Sequence, residues 1–236
     1  MLKPISTPLF CALDTTNISQ ARALAKQLAP TAIGLKIGLE LYLANGKAGI
    51  ASISEAAPDS PLFLDLKLHD IPNTVSSAIK ALNDLDIAYI NVHAAGGEEM
   101  MRAAREALET FTTTPQLLAV TVLTSLDDDN LDKVGQHGPV AEQVLRLARL
   151  TKACGLDGVV CSGHEIGGLR DQLGADFTLM VPGIRPSNSA SGDQKRVMTP
   201  EQAMQAGASH LVIGRPITQA ADPARAALEI LDSLKN

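Results

Sequence analysis

Short β-rich runs recur along this chain and alternate with longer stretches whose apolar positions follow a helical spacing. The candidate strands cover residues 9–14, 33–37, 62–68, 89–94, 117–124, 158–162, 178–184 and 210–217, eight in all. Between them Ala21, Leu24, Ala25 and Leu28 recur at i, i+3, i+4 and i+7, the mark of one buried helical face. Val140, Val144 and Leu147 repeat that spacing, as do Ala227, Leu228, Leu231 and Leu234 in the last predicted helix. Several strands are nearly unbroken apolar runs, as parallel strands covered on both faces are.

Eight strand–helix units in 236 residues predict an α/β protein, a single (β/α)8 TIM barrel running over 1–236 as one catalytic domain. That fold usually takes about 250 residues. A doubly wound open sheet is the alternative, but it has no need for eight units. Its dinucleotide fingerprint is also missing, because ALDTTN (12–17) stands where a GxGxxG would follow the first strand. No linker, charge run or low-complexity tract divides the chain. The longest polar connection is PSNSASGDQKRVMT (186–199), and loops of that length in a compact domain are often functional.

Composition narrows the picture further. At 45% hydrophobic and 19% charged residues the chain can bury a large core, which excludes a disordered chain or a disulfide-stapled miniprotein. A net charge of −6 and six aromatics without a Trp leave neither a basic face nor stacking platforms, so nucleic acid is not expected as a partner. No segment approaches 18 uninterrupted apolar residues, and MLKPISTPLF has no apolar stretch of signal-peptide length; no membrane is expected. The three cysteines are odd in number and lack CxxC spacing, so they read as reduced thiols of a cytoplasmic protein. Cys11 and Cys161 lie inside apolar runs and are expected to be small core residues.

In such a barrel the chemistry lies at the carboxyl ends of the strands. The polar residues there are Asp14, Lys36, Asp65, Lys67, Asp70, His93, Thr124, Ser162, Arg185 and Arg215. The third strand, LFLDLKLHD, is the most informative. Its leucines alternate with Phe63, Asp65 and Lys67, which places both charges on the face that points into the barrel. Charges there are costly unless paired and hydrogen-bonded. An Asp65–Lys67 pair could simply fix register, Lys36 could be a solvated strand end, and Asp70 before Ile71-Pro72 could cap a helix. Taken together, the two cations and two anions look like an alternating network built to bias proton transfer.

A second signal points to an anion. VPGIRP (181–186) and VIGRPI (212–217) each carry a Gly close to an Arg after the seventh and eighth strands. There this fold commonly holds a phosphate with backbone N–H groups, a helix start and a guanidinium fork. The glycines could instead be turn residues and the arginines solvated. His93 reads equally well as a structural histidine. The five histidines show no HxxxH or HxH spacing, so no metal site is expected.

DLKLHDIPNT (65–74), with GLKIG (34–38), VTVLTS (120–125) and the two Gly–Arg segments, resembles the orotidine 5′-phosphate decarboxylase family of the bacterial type. The likeness runs from ALD (12–14) to the final helix. It implies a dimeric barrel that needs no cofactor and makes UMP and CO2. Position by position, it implies that Lys67 donates the proton to pyrimidine carbon 6. Asp65 would lie against the departing carboxylate, and Lys36 would bridge this network and the ribose hydroxyls. Asp70, Ile71 and Thr74 would reach into the neighbouring subunit's site. Asp14 would contact the ribose and Thr124 the pyrimidine edge, while Arg185, Gln194, Gly214 and Arg215 would hold the phosphate.

Three other readings remain at this point. One is a metal-assisted sugar-phosphate decarboxylase or hexulose-phosphate synthase of the same superfamily, which shares DxKxxD but has an acid where Lys36 stands. A second is a Schiff-base aldolase using Lys67 or Lys36. The third is a non-catalytic sensor of phosphoribosyl ligands, which would have no need for Lys36, Asp65, Lys67 and Asp70 together.

Overall fold

Parallel pairing in sequence order joins β1 (Leu9–Ala12), β2 (Gly34–Gly38), β3 (Leu62–Leu68), β4 (Tyr89–His93), β5 (Gln116–Val120), β6 (Gly158–Val160), β7 (Thr178–Pro182) and β8 (His210–Ile213). β8 then pairs with β1, so the sheet closes into a barrel. This computed structural model describes residues 5–186 and 198–235. The helices run between the strands as α1 (Ile18–Leu28), α2 (Leu39–Ala56), α3 (Pro72–Lys80), α4 (Gly97–Ala107), α5 (Asp128–Lys133), α6 (Val140–Ala153), α7 (Ile166–Leu173), α8 (Pro200–Gln205), α9 (Arg215–Thr218) and α10 (Pro223–Ser233). Among the described residues no helix is long and apolar enough to cross a membrane.

Alternation along the strands produces two separate cores. Leu9, Cys11, Leu35, Ile37, Leu62, Leu64 and Leu66 face outward and pack with helix residues such as Ala21, Ala25 and Leu28. Phe10, Ala12, Phe63, Tyr89, Leu118, Val120, Val160, Met180 and Val212 fill the barrel interior. Gly34 makes room for this filling: a Cβ there would lie 2.3 Å from the Phe10 ring. Phe10, Phe63, Tyr89 and His210 meet edge to face, with ring centroids 5.4 to 6.4 Å apart. His210 Nδ1–H donates to the Thr7 carbonyl at 2.8 Å, so its Nε2 accepts from the Tyr89 hydroxyl, also at 2.8 Å. Burial pulls the His210 pKa down, in keeping with a neutral imidazole there.

Several ends differ from the pattern-based expectation. β5 stops at Val120, which leaves Thr124 in a turn beyond the strand. β7 stops at Pro182, which has no N–H to continue a ladder, and Ile184 makes only an isolated bridge to Met198. β8 stops at Ile213 because Gly214 turns the chain into α9, which has Pro216 in its first turn. In α10 the buried positions are Ala227 and Ile230, while Leu228 is 47% exposed, so the expected stripe is rotated. Cys11 and Cys161 are buried as expected, with burial pushing the Cys11 thiol up to about 12.

Candidate active site

The carboxyl ends of β1, β2 and β3 bring four charges into one chain of contacts. Lys36 Nζ lies 3.4 Å from Asp14 Oδ1 and 3.3 Å from Asp65 Oδ2, and Lys67 Nζ lies 2.6 Å from Asp65 Oδ1. The register explains the meeting, since Gly38 pairs with Asp65 and both face inward. A Cβ at Gly38 would stand 3.1 Å from Lys36 Nζ, so the glycine leaves the ammonium its place. Burial pushes the Asp65 carboxyl up, but Lys36 and Lys67 outweigh it, helped by hydrogen bonds from Lys67 and Asn91. The carboxyl is thereby held below the ordinary carboxylate value.

Lys67 itself sits in an unusual backbone state. Its φ is +49°, left-handed for a residue with a side chain, a conformation that costs on the order of 1–2 kcal/mol. The cause is a shift in the β3–β4 register. Leu64 pairs with Ile90 and Leu68 with Val92, so β3 advances four residues while β4 advances two. The Lys67 N–H therefore leaves the ladder and donates to Asn91 Oδ1 at 2.7 Å. Asn91 Nδ2 donates in turn to Asp65 Oδ1 at 2.7 Å. Asn91 is completely buried. It is absent from the sequence-based candidates, although an inward polar residue in the apolar strand YINVH was a usable signal.

The remaining candidates take varied positions. Asp70 makes no ion pair with Lys67 among the described residues; its Oδ1 accepts from the Ile71 N–H at 2.6 Å. Ile71, not Asp70, occupies the N-cap position of α3. Asp70, Ile71 and Thr74 are all exposed, as is Thr124. Ser162 is taken up in a capping box with Glu165. His93 stacks on His69 with centroids 5.2 Å apart, and burial, then His69 and Lys67, hold its pKa below the usual value.

Beside the charges lies the segment after β8. A Cβ at Gly214 would lie 3.7 Å from Asp14 Oδ2, so this segment and the charge network adjoin. Arg215 opens the short helix α9 directly after β8. Arg185 is buried, its N–H donates to the Met198 carbonyl at 3.1 Å, and its Nε finds no partner among the described residues. Gln194 lies outside the described residues. Among the described residues no three His, Cys, Asp or Glu side chains are grouped so as to hold a metal.

A closed (β/α)8 barrel with an alternating network of lysines and carboxylates at its mouth and Gly–Arg segments after its last two strands has the layout of a barrel enzyme. Residues 7–230 match the model of the orotidine 5′-phosphate decarboxylase / HUMPS family, and the chain belongs to that family. It is 51% identical to an orotidine 5′-phosphate decarboxylase of Rhodospirillum rubrum, over 96% of this chain and 94% of the relative. It is 50% identical to that of Idiomarina loihiensis, over 96% and 97%. The crystal structure of orotidine 5′-phosphate decarboxylase from Lactobacillus acidophilus superposes with a TM-score of 0.86 at 40% identity, over 97% of this chain and 99% of that one.

Proposed function

We propose that this chain decarboxylates orotidine 5′-phosphate to UMP and CO2, with Lys67 as the proton donor to carbon 6. The observation that carries the reading is the Lys36–Asp65–Lys67 contact chain, with a lysine at the end of β2 where the metal-assisted relatives have an acid. A fixed ammonium there repels a divalent cation.

The chemistry follows from the charges. The bond from carbon 6 to the carboxylate breaks, CO2 departs, and the electron pair stays on a ring carbon with no adjacent carbonyl to receive it. The Lys67 ammonium stabilises that developing charge and then transfers its proton to carbon 6; solvent reprotonates the amine. Asp65 lies against the substrate carboxylate and holds the donor in place, while Lys36, tied to Asp14 and Asp65, faces the ribose side. Arg185, Gly214 and Arg215, with Gln194, hold the phosphate, whose remote binding energy is used at the reacting carbon. Thr124 meets the pyrimidine edge.

The active form is a homodimer in which Asp70, Ile71 and Thr74 complete the neighbouring site. Three exposed apolar side chains support this: Leu39 and Leu43 on α2 are 46% and 77% exposed, and Ile71 is 66% exposed. The strands preceding them, β2 and β3, are adjacent. Residues 1–236 form one catalytic domain, and the free cysteines suit a cytoplasmic setting.

The test is loss of orotidine 5′-phosphate absorbance with purified protein, with and without EDTA. Full turnover in EDTA is expected, and activity that needs an added metal would transfer the reading to the sugar-phosphate branch.

A further inference from the structure

We propose that Asn91 is a positioning residue for the proton donor, tying the left-handed backbone of Lys67 to the carboxylate of Asp65 through one buried amide. The proposal rests on the reading of Lys67 as the donor. Its basis is a closed ring of contacts. The Lys67 N–H donates to Asn91 Oδ1, Asn91 Nδ2 donates to Asp65 Oδ1, and that same oxygen receives Lys67 Nζ, at 2.7, 2.7 and 2.6 Å. Both ends of one residue, its backbone and its ammonium, are thus referred to a single oxygen of Asp65.

Only a short amide fits this place. The ring needs an acceptor for the backbone N–H and a donor for the carboxylate on one planar group. An aspartate lacks the donor, a leucine lacks both, and a glutamine is one methylene too long between Tyr89 and His93, the inward neighbours on β4. Asn91 is wholly buried, so water cannot take over either bond. The register shift is what creates the need, because it removes the Lys67 N–H from the ladder.

The charged and titratable groups around this ring are few. Lys36 from β2 faces Asp65 Oδ2, Lys67 from β3 faces Oδ1, and Asp14 beyond β1 acts through Lys36. His93, stacked on His69, faces Lys67. Removing the Asn91 donor takes away a bond that favours the ionised Asp65, so this carboxyl should titrate at higher pH.

Two variants test the proposal. In Asn91→Ala, kcat should fall about 10²-fold, the usual result of misplacing a catalytic group by about 1 Å. Affinity for UMP, held through its distant phosphate, should be kept, and the acid limb of the pH–kcat profile should move to higher pH. Asn91→Asp retains the acceptor for the Lys67 N–H but donates to Asp65 only when protonated. Its activity should therefore rise relative to Asn91→Ala as pH is lowered. A substrate-free readout is the carboxyl 13C titration of Asp65, which should move to higher pH in Asn91→Ala. Unchanged kcat and an unchanged acid limb in a folded variant would overturn the proposal, as would failure of both variants to fold. If the wild-type chain does not turn over orotidine 5′-phosphate, the functional reading fails instead. The Asp65 titration then decides, and no shift in it overturns the positioning role.

Discussion

The floor and the mouth of this barrel are built on the same strands, two residues apart. On β3, Phe63 belongs to the floor and Asp65 to the mouth; on β4, Tyr89 and Asn91 divide in the same way; on β2, Gly34 accommodates a ring and Lys36 carries a charge. The floor has ring against ring, and its polar atoms are spent on one another, His210 on Tyr89 and Thr7. At the mouth Lys67 is left-handed, and His93 Nδ1 and Arg185 Nε are buried without partners among the described residues. The left-handed Ala32 and the likewise unpartnered Ser60 Oγ, in the loops before β2 and β3, are the counterparts at the opposite end. The two ends thus differ in what their irregular positions surround: charges at the mouth, packed rings at the floor. At the mouth the irregular positions lie among charged groups, which the proposed proton transfer would need held ready, while the packed rings of the floor supply rigidity.

The largest expected effect lies at the mouth. Lys67→Ala should lower turnover of orotidine 5′-phosphate by about 10⁴-fold, the upper range for loss of a general acid, in steady-state assays of folded protein. Arg215→Ala should lower kcat/KM for the phosphorylated substrate by about 10²-fold, the worth of a lost charge-assisted hydrogen bond. Turnover of a truncated nucleoside without phosphate should scarcely change; equal damage to both would place Arg215 in the fold.

Subunit mixing gives a smaller signal, a partial return of activity. Lys67→Ala and Asp70→Asn, each nearly inactive alone, are combined in equal amounts after reversible dissociation. If Asp70 serves the neighbouring site, about half the dimers are mixed and each has one intact site, so about a quarter of wild-type activity returns. No recovery, with exchange confirmed, would confine Asp70 to its own chain.

The smallest effect is on stability in acid. The folded Asp65 carboxyl titrates below its ordinary value of 3.8, so its contribution is complete above that pH and is lost as pH falls through the lower folded value. Urea midpoints from pH 7 to pH 2 should therefore fall more for wild type than for Asp65→Asn below about pH 4. Parallel curves would remove Asp65 from the acid transition.

The barrel was legible because buried parallel strands read as apolar runs and each is followed by a helical period. Asp65 and Lys67 were legible because alternation in LFLDLKL sets both on the inner face. The register shift that turns Lys67 left-handed was not, because it is a relation between β3 and β4 that neither strand carries alone. Asn91 was legible only as an inward polar residue in the apolar strand YINVH; the groups it joins lie on β3, so its part in the site was not. The strand ends at Val120, Pro182 and Ile213 were overestimated because apolar residues continue into the loops that form the mouth.

The most direct test of the division between floor and mouth is turnover and melting temperature measured on the same preparations of Lys67→Ala and Phe63→Ala, in EDTA. Phe63→Ala opens a cavity among the floor rings and should cost about 3–5 kcal/mol of stability. The account predicts a crossed result: Lys67→Ala loses turnover while melting well above Phe63→Ala, and Phe63→Ala melts early and keeps turnover per folded molecule. Turnover retained by Lys67→Ala, or both properties lost together in both variants, would contradict it.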